Sequence, residues 1–182
     1  MSKPQNFGDL AFTPAVKVVQ ERLNTRRSYS RLEGRVVRTT IGPEEAEFIA
    51  ARDSFYLATV GDNGWPYMQY RGGPKGFLRM LDATTLGFAD FRGNGQYVST
   101  GNVLSTHHAF LFLMDYPNRA RLKIWAEAEI SNDPAAIARV TDPSYKAQIE
   151  RAFLFHVQAF DWNCQKYIVQ RYTPEEFAAL EV

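Results

Sequence analysis

Two stretches, Trp65-Pro66-Tyr67-Met68-Gln69-Tyr70-Arg71-Gly72-Gly73-Pro74-Lys75-Gly76 and Asp90-Phe91-Arg92-Gly93-Asn94-Gly95-Gln96-Tyr97, decide how the rest of the chain is read. Each is a glycine-rich corner at the end of an extended run, and each carries fixed positive charge. The flanking strands are expected to lie side by side and so to bring the corners together. A phosphate monoester needs cations and several converging backbone N–H groups; glycine permits close approach, and a helix start leaves N–H groups unpaired. Arg71 and Lys75 supply charge in the first corner, while Gly93, Asn94, Gly95 and Gln96 precede a predicted helix in the second. Either corner alone reads as an ordinary turn. Together, across adjacent strands, they read as a cradle for a nucleotide phosphate.

Working outward, the β period begins at Ser54. Phe55 to Val60 is a strand by composition, Gly61-Asp62-Asn63-Gly64 turns it, and Pro66 to Arg71 returns. Phe77 to Leu81 and Thr85 to Phe91 follow, linked by Asp82-Ala83-Thr84, so the short connections predict an antiparallel meander. A helix is expected from Asn94 to about Ser105, then a strand from Ala109 to Tyr116 covered on both faces. Leu122, Ile124, Ala126, Ala128 and Ile130 alternate with Arg121, Lys123, Trp125, Glu127 and Glu129, placing one face in the core. Asp133-Pro134 opens a short helix, Ala152 to Trp162 is a long strand, Asn163 to Lys166 turns, and Tyr167 to Arg171 is extended. About seven or eight strands so connected favour a closed or split barrel, mainly β with peripheral helices, because closure removes exposed edges.

One domain is expected: a helical extension over 1–53, a barrel over 54–172 and a C-terminal helix over 173–182 opened by Thr173-Pro174-Glu175-Glu176. Within the extension, Thr13-Pro14 starts a helix to about Asn24, Arg26 to Arg31 is a basic connector, and Gly42-Pro43-Glu44-Glu45 starts a second helix to about Arg52. With 21 basic and 20 acidic residues the chain has no global field to draw nucleic acid or anionic lipid, so any anion site is local. No apolar run has membrane-spanning length, the N-terminus lacks a signal-peptide core, and the single Cys164 makes no internal disulfide; a cytoplasmic location is expected. His107 and His108 point to opposite faces of a strand and have no ligand-spaced partner, so no metal is expected. His156 reads as a core-edge histidine, and Cys164 has no local base to make it a nucleophile.

The succession of the first corner, Leu86-Gly87-Phe88-Ala89-Asp90-Phe91-Arg92-Gly93-Asn94, Phe110-Leu111-Phe112-Leu113-Met114-Asp115-Tyr116 and Lys123-Ile124-Trp125-Ala126-Glu127-Ala128 resembles the pyridoxamine 5′-phosphate oxidase-like, FMN-binding split-barrel family. It is similar in particular to a branch of predicted flavin-nucleotide-binding proteins, whose C-terminal signature resembles Asp161 to Cys164 followed by Ile168 and Arg171. The resemblance implies FMN bound between two subunits of a homodimer. It implies phosphate contacts from Gln69, Tyr70, Arg71 and Gly72, and from Asp90, Phe91, Asn94, Gly95 and Gln96; Arg121, Lys123 and Trp125 would lie beside the flavin or reach across to the partner. Trp162 is a further candidate to stack on the ring. The chain departs from the branch at Gly95, where an arginine is usual, and Lys75 is expected to restore that charge. It departs again at Gln165, Lys166 and Tyr167, which argues against a pyridoxamine phosphate oxidase pocket. An FMN-dependent oxidoreductase is the leading reading, with a reduced nicotinamide nucleotide, a small oxidant or an aminated vitamin as reaction partner and Arg121 or Lys123 balancing charge on the reduced ring. A flavin-nucleotide carrier or sensor is the alternative, and a related phosphorylated deazaflavin is an alternative ligand.

Overall fold

The computed structural model describes residues 6–34, 39–162 and 165–180. The expected turn at Asn163 and Cys164 lies outside the described residues. Seven strands form one antiparallel sheet: β1 (Ser54–Val60), β2 (Pro66–Gly72), β3 (Arg79–Asp82), β4 (Thr85–Phe91), β5 (His108–Asp115), β6 (Ala120–Ser131) and β7 (Ile149–Trp162). Their order is β2-β1-β5-β6-β7-β4-β3. Two hairpins of the expected meander are present, but β2 and β3 stand at opposite ends of the order instead of pairing. The cause is the connector. Gly73 and Gly76 donate their N–H groups to Asp53 and Arg52 carbonyls (2.9 Å each), and Phe77 and Leu78 enter the core, so the chain crosses to the far edge instead of turning back. The two glycine corners therefore belong to strands that are not hydrogen-bonded neighbours. They meet because the sheet curls: Arg71 of β2 reaches Asp90 of β4, with Nη1 to Oδ1 at 3.1 Å. That edge-to-edge approach is the split-barrel arrangement of a mainly β, α+β fold.

Inside the curl, Phe55, Phe77, Phe88, Phe153 and Phe155 pack ring on ring, Phe88 to Phe153 at 5.1 Å and Phe55 to Phe77 at 5.6 Å. The inward sides of β5 and β6 complete the core with Leu111, Leu113, Leu122 and Ile124, all fully buried. The outward residues of β5, Phe110, Phe112 and Met114, stay half-exposed, so this strand is not covered on both faces as its apolar run predicts. Tyr167 to Arg171 forms no strand, which leaves seven among the described residues.

Helices cover the ends and one flank. α1 (Phe7–Ala11) is closed by a capping box between Asn6 and Asp9, and α2 (Pro14–Arg22) by the Thr13 hydroxyl accepting from the Val16 N–H at 3.4 Å. The basic connector coils into a turn of helix, α3 (Arg26–Tyr29), where Arg26 pairs with Glu33 alongside Lys17. α4 (Pro43–Ala50) turns Glu45 back onto the Gly42 N–H at 3.1 Å. α5 (Val98–Thr106) starts four residues later than the sequence suggests, because Gly95 and Tyr97 take the left-handed conformation at φ 77° and 52°. α6 (Pro134–Val140) and α7 (Pro174–Ala178) complete the chain.

Candidate functional site

The corner after β4, the start of α5 and the end of β2 enclose a cleft. Gln69 and Arg71 enter it from β2, Asp90 and Phe91 from β4, and Ser99 and Thr100 from the first turn of α5. Gly93, Asn94 and Gly95 form its rim, and nothing lies within 4 Å of where a Gly95 side chain would be. Asn94 holds the rim turned by accepting the Gln96 N–H at its Oδ1, 3.1 Å away. The buried Ser99 donates its hydroxyl to Gln69 Oε1 at 3.2 Å, tying α5 to β2. Tyr97 caps α5 with backbone alone and offers no side-chain acceptor, so the first-turn N–H groups are not satisfied by the cap.

Arg71 is the centre of charge. Its guanidinium lies 5.5 Å from the Phe88 ring centre and 5.4 Å from that of Phe153, and its Nε is sheltered without a hydrogen-bond partner among the described residues. Burial pulls its pKa down from the usual arginine value, opposed by the nearby Asp90 carboxylate. Asp90 is also contacted by Arg151 of β7, Nε to Oδ2 at 3.4 Å. Even so, burial outweighs both arginines and pushes the Asp90 carboxyl above its ordinary value. Arg151 is itself bound by Glu150, Nη2 to Oε2 at 2.6 Å, and lies 4.8 Å from the Tyr97 ring centre; the Tyr97 hydroxyl donates to Glu150 Oε1 at 3.1 Å. A bulge explains why two consecutive β7 residues serve one site. Asp90 pairs with Arg151 and Phe91 with Ile149, so Glu150 is the extra residue and the bulge re-aims its side chain.

Seven expected residues thus converge: Gln69, Arg71, Asp90, Phe91, Gly93, Asn94 and Gly95. Tyr70 points to the other side of β2, where its ring packs edge-on against Tyr56 at 5.8 Å, and Gly72 lies beneath that ring. Gln96 is exposed and takes part through its backbone. Lys75 lines a separate depression with Asp53 and Arg171, so it does not supply charge to the cleft. Arg121 opens into a groove with Tyr56, Phe110, Phe112 and Tyr116, its Nε sheltered and without a partner among the described residues. Lys123 is paired with Asp161 at 2.8 Å, and Phe7 of α1 covers both it and Trp125, its ring centre 5.3 Å from that of Trp125. Trp162 donates its indole N–H to Glu45 Oε1 at 2.9 Å and stacks edge-on against Phe48, which makes it a strut between β7 and α4. Arg151, Glu150, Tyr97, Ser99 and Thr100 were not foreseen. The two hydroxyls after a glycine corner were a readable signal; the Arg151 partnership depends on sheet order and a bulge.

The sequence pattern of the family described as pyridoxamine 5′-phosphate oxidase matches residues 41–175. The chain belongs to that family. Every residue of the cleft falls inside the matched segment. No curated protein matches the chain. Among solved structures, group A Streptococcus HupZ is similar at 16% identity and a TM-score of 0.57, over 72% of this chain and 99% of its own. A putative pyridoxamine 5′-phosphate oxidase of Lactobacillus delbrueckii is similar at 17% identity and a TM-score of 0.52, over 68% and 94%. An FMN-binding protein of Syntrophomonas wolfei follows at 14% identity and 0.53, over 82% and 97%. At these identities the likeness is one of fold. For this pyridoxamine phosphate oxidase family member it agrees with the curled seven-stranded sheet. Among the described residues no helix is long and apolar enough to cross a membrane, and no group of three or more histidine, cysteine or acidic side chains is placed to hold a metal.

Proposed function

We propose that this family member binds FMN with its phosphate in the Arg71 cleft, and that two copies of the chain share the cofactor in a flavin-dependent oxidoreductase. The observation that carries the reading is the sheltered, unpartnered Arg71 Nε beside a helix start whose cap supplies no side-chain acceptor and a glycine rim that leaves room for an oxyanion. The cleft fits a phosphate. Arg71 would hold it, Thr100 would add its hydroxyl, Ser99 and Thr100 would add backbone N–H donors, and Asn94 would keep the rim open. FMN would supply the ring that carries a hydride or electrons, with a reduced nicotinamide nucleotide as the electron source.

The second copy is supported by exposed apolar surface. Trp65, Met68 and Tyr70 on the outer side of the β2 corner are 75%, 64% and 60% exposed, and the aromatic groove around Arg121 adjoins them through Met68. Arg121 there is the side chain best situated to balance negative charge on a reduced ring. The test is titration of purified protein with FMN and with riboflavin, followed by sedimentation. FMN binding at least tenfold tighter than riboflavin, on a species of two chains, is expected; equal affinities would remove the phosphate from the cleft.

A further inference from the structure

The Arg71 cleft already contains its own anions. Asp90 accepts from Arg71 at 3.1 Å, and Arg151, the only other cation in contact with Asp90 among the described residues, is held at 2.6 Å by Glu150. Two guanidinium groups are thus matched by two carboxylates before any ligand arrives, and Tyr97 fastens Glu150 from the α5 side. A site built to keep a dianion permanently is expected to present surplus positive charge. This one presents none among its lining residues, since Gly95 and Gln96 are uncharged, Lys75 lies elsewhere and Arg92 turns its guanidinium to the Gln148 side chain.

We propose, on the flavin-nucleotide reading above, that Asp90 is an internal counter-ion that competes with the nucleotide phosphate for Arg71, so that the nucleotide is held exchangeably and not as a permanent prosthetic group. Without a ligand Asp90 keeps Arg71 oriented beside the stacked rings of Phe88 and Phe153. When a phosphate binds on the free Nε side of the guanidinium, the charge that Asp90 held alone is divided with it, and Asp90 leans more on Arg151, which Glu150 already shares. The charged groups facing Asp90 are then Arg71 from β2, Arg151 and Glu150 from β7 and the incoming phosphate, with Tyr97 behind Glu150. Its carboxylate, already disfavoured by burial, takes up a proton, and the proton leaves again when the phosphate does. Exchange of cofactor with solution is the behaviour of a carrier, or of an enzyme that treats flavin nucleotide as a substrate.

Asp90→Asn separates charge from positioning, because the amide oxygen still accepts from Arg71 while the negative charge is gone. Calorimetric titration at pH 6 in two buffers of different ionisation enthalpy reads affinity and proton uptake together. Asp90→Asn is expected to bind FMN about tenfold tighter than the parent, the equivalent of one pKa unit of interaction, with riboflavin unchanged. It should also take up fewer protons per FMN bound. Glu150→Gln, which frees Arg151 to hold Asp90, should tighten FMN in the same direction. Equal or weaker FMN binding by Asp90→Asn, or a parallel change for riboflavin, overturns the counter-ion role. If neither flavin binds the parent, the flavin reading fails by itself, and inorganic pyrophosphate decides the counter-ion: a larger rise in melting temperature for Asp90→Asn upholds it, an equal rise refutes it.

Discussion

Replacing Arg71 by glutamine tests both the site and the electrostatics around it. The substitution keeps a polar side chain of reduced reach and removes the charge that Asp90 and the proposed phosphate share. Hydrogen bonds to charged groups are worth roughly 1.5–3 kcal/mol each, so the loss of one guanidinium–phosphate contact predicts FMN binding weakened by about 10- to 150-fold. Riboflavin binding should change by less than about threefold, since it carries no phosphate. Stability should respond as well, and with a definite pH dependence. Asp90 already titrates above its ordinary value, so its folded-state contribution is fully present below the unfolded carboxylate value, near 3.9, and is lost as pH rises through the folded value. Without Arg71 that folded value rises further. Arg71→Gln is therefore expected to be more destabilised relative to the parent at pH 8 than at pH 5, measured as the shift in urea midpoint at each pH. Flavin fluorescence quenching supplies the binding arm. An FMN affinity within twofold of the parent would refute the placement of phosphate at Arg71, and a destabilisation larger at pH 5 than at pH 8 would refute the account of Asp90.

Trp162→Phe removes the indole donor from the buried Glu45 and should cost about 1–3 kcal/mol in urea unfolding, with no specific loss of FMN over riboflavin; an unchanged midpoint would deny the strut between β7 and α4. For Asp115, burial pushes the carboxyl up, but the Asn118 backbone and amide donors and the Arg52 guanidinium outweigh it and hold it below the ordinary range. Its stabilisation is present above about pH 3.9 and is lost as pH falls through the depressed value, so the stability gap between parent and Asp115→Asn, on the order of 1–2 kcal/mol at pH 7, should close in acid. A gap that persists undiminished at pH 3 would show that the effect is one of packing.

Much of this protein is legible in local sequence because local physics decides it. Thr13-Pro14, Gly42-Pro43-Glu44-Glu45, Asp133-Pro134 and Thr173-Pro174-Glu175-Glu176 each begin a helix where the chain shows one, since capping acts between residues at most three apart. The alternation on β6 identifies its buried face for the same reason: successive side chains of a strand point to opposite sides. The late start of α5 escaped because Tyr97 takes φ 52°, a conformation no propensity assigns to tyrosine.

What the chain determined by itself is the set of strands, the helix starts and the two glycine corners, with Arg71 and Asn94 among their residues. Tertiary structure alone decided that β2 and β3 would part to opposite edges, that the corners would meet through Arg71 and Asp90, and that a bulge would bring Glu150 and Arg151 to them. It also turned Lys75 and Trp162 to other work. The physical reason is range. Caps and alternation are set by neighbours within a few residues, whereas the charge balance of the cleft joins positions 71, 90 and 151, which the pairing of β4 with β7 and the curl of the sheet together bring within ion-pair distance.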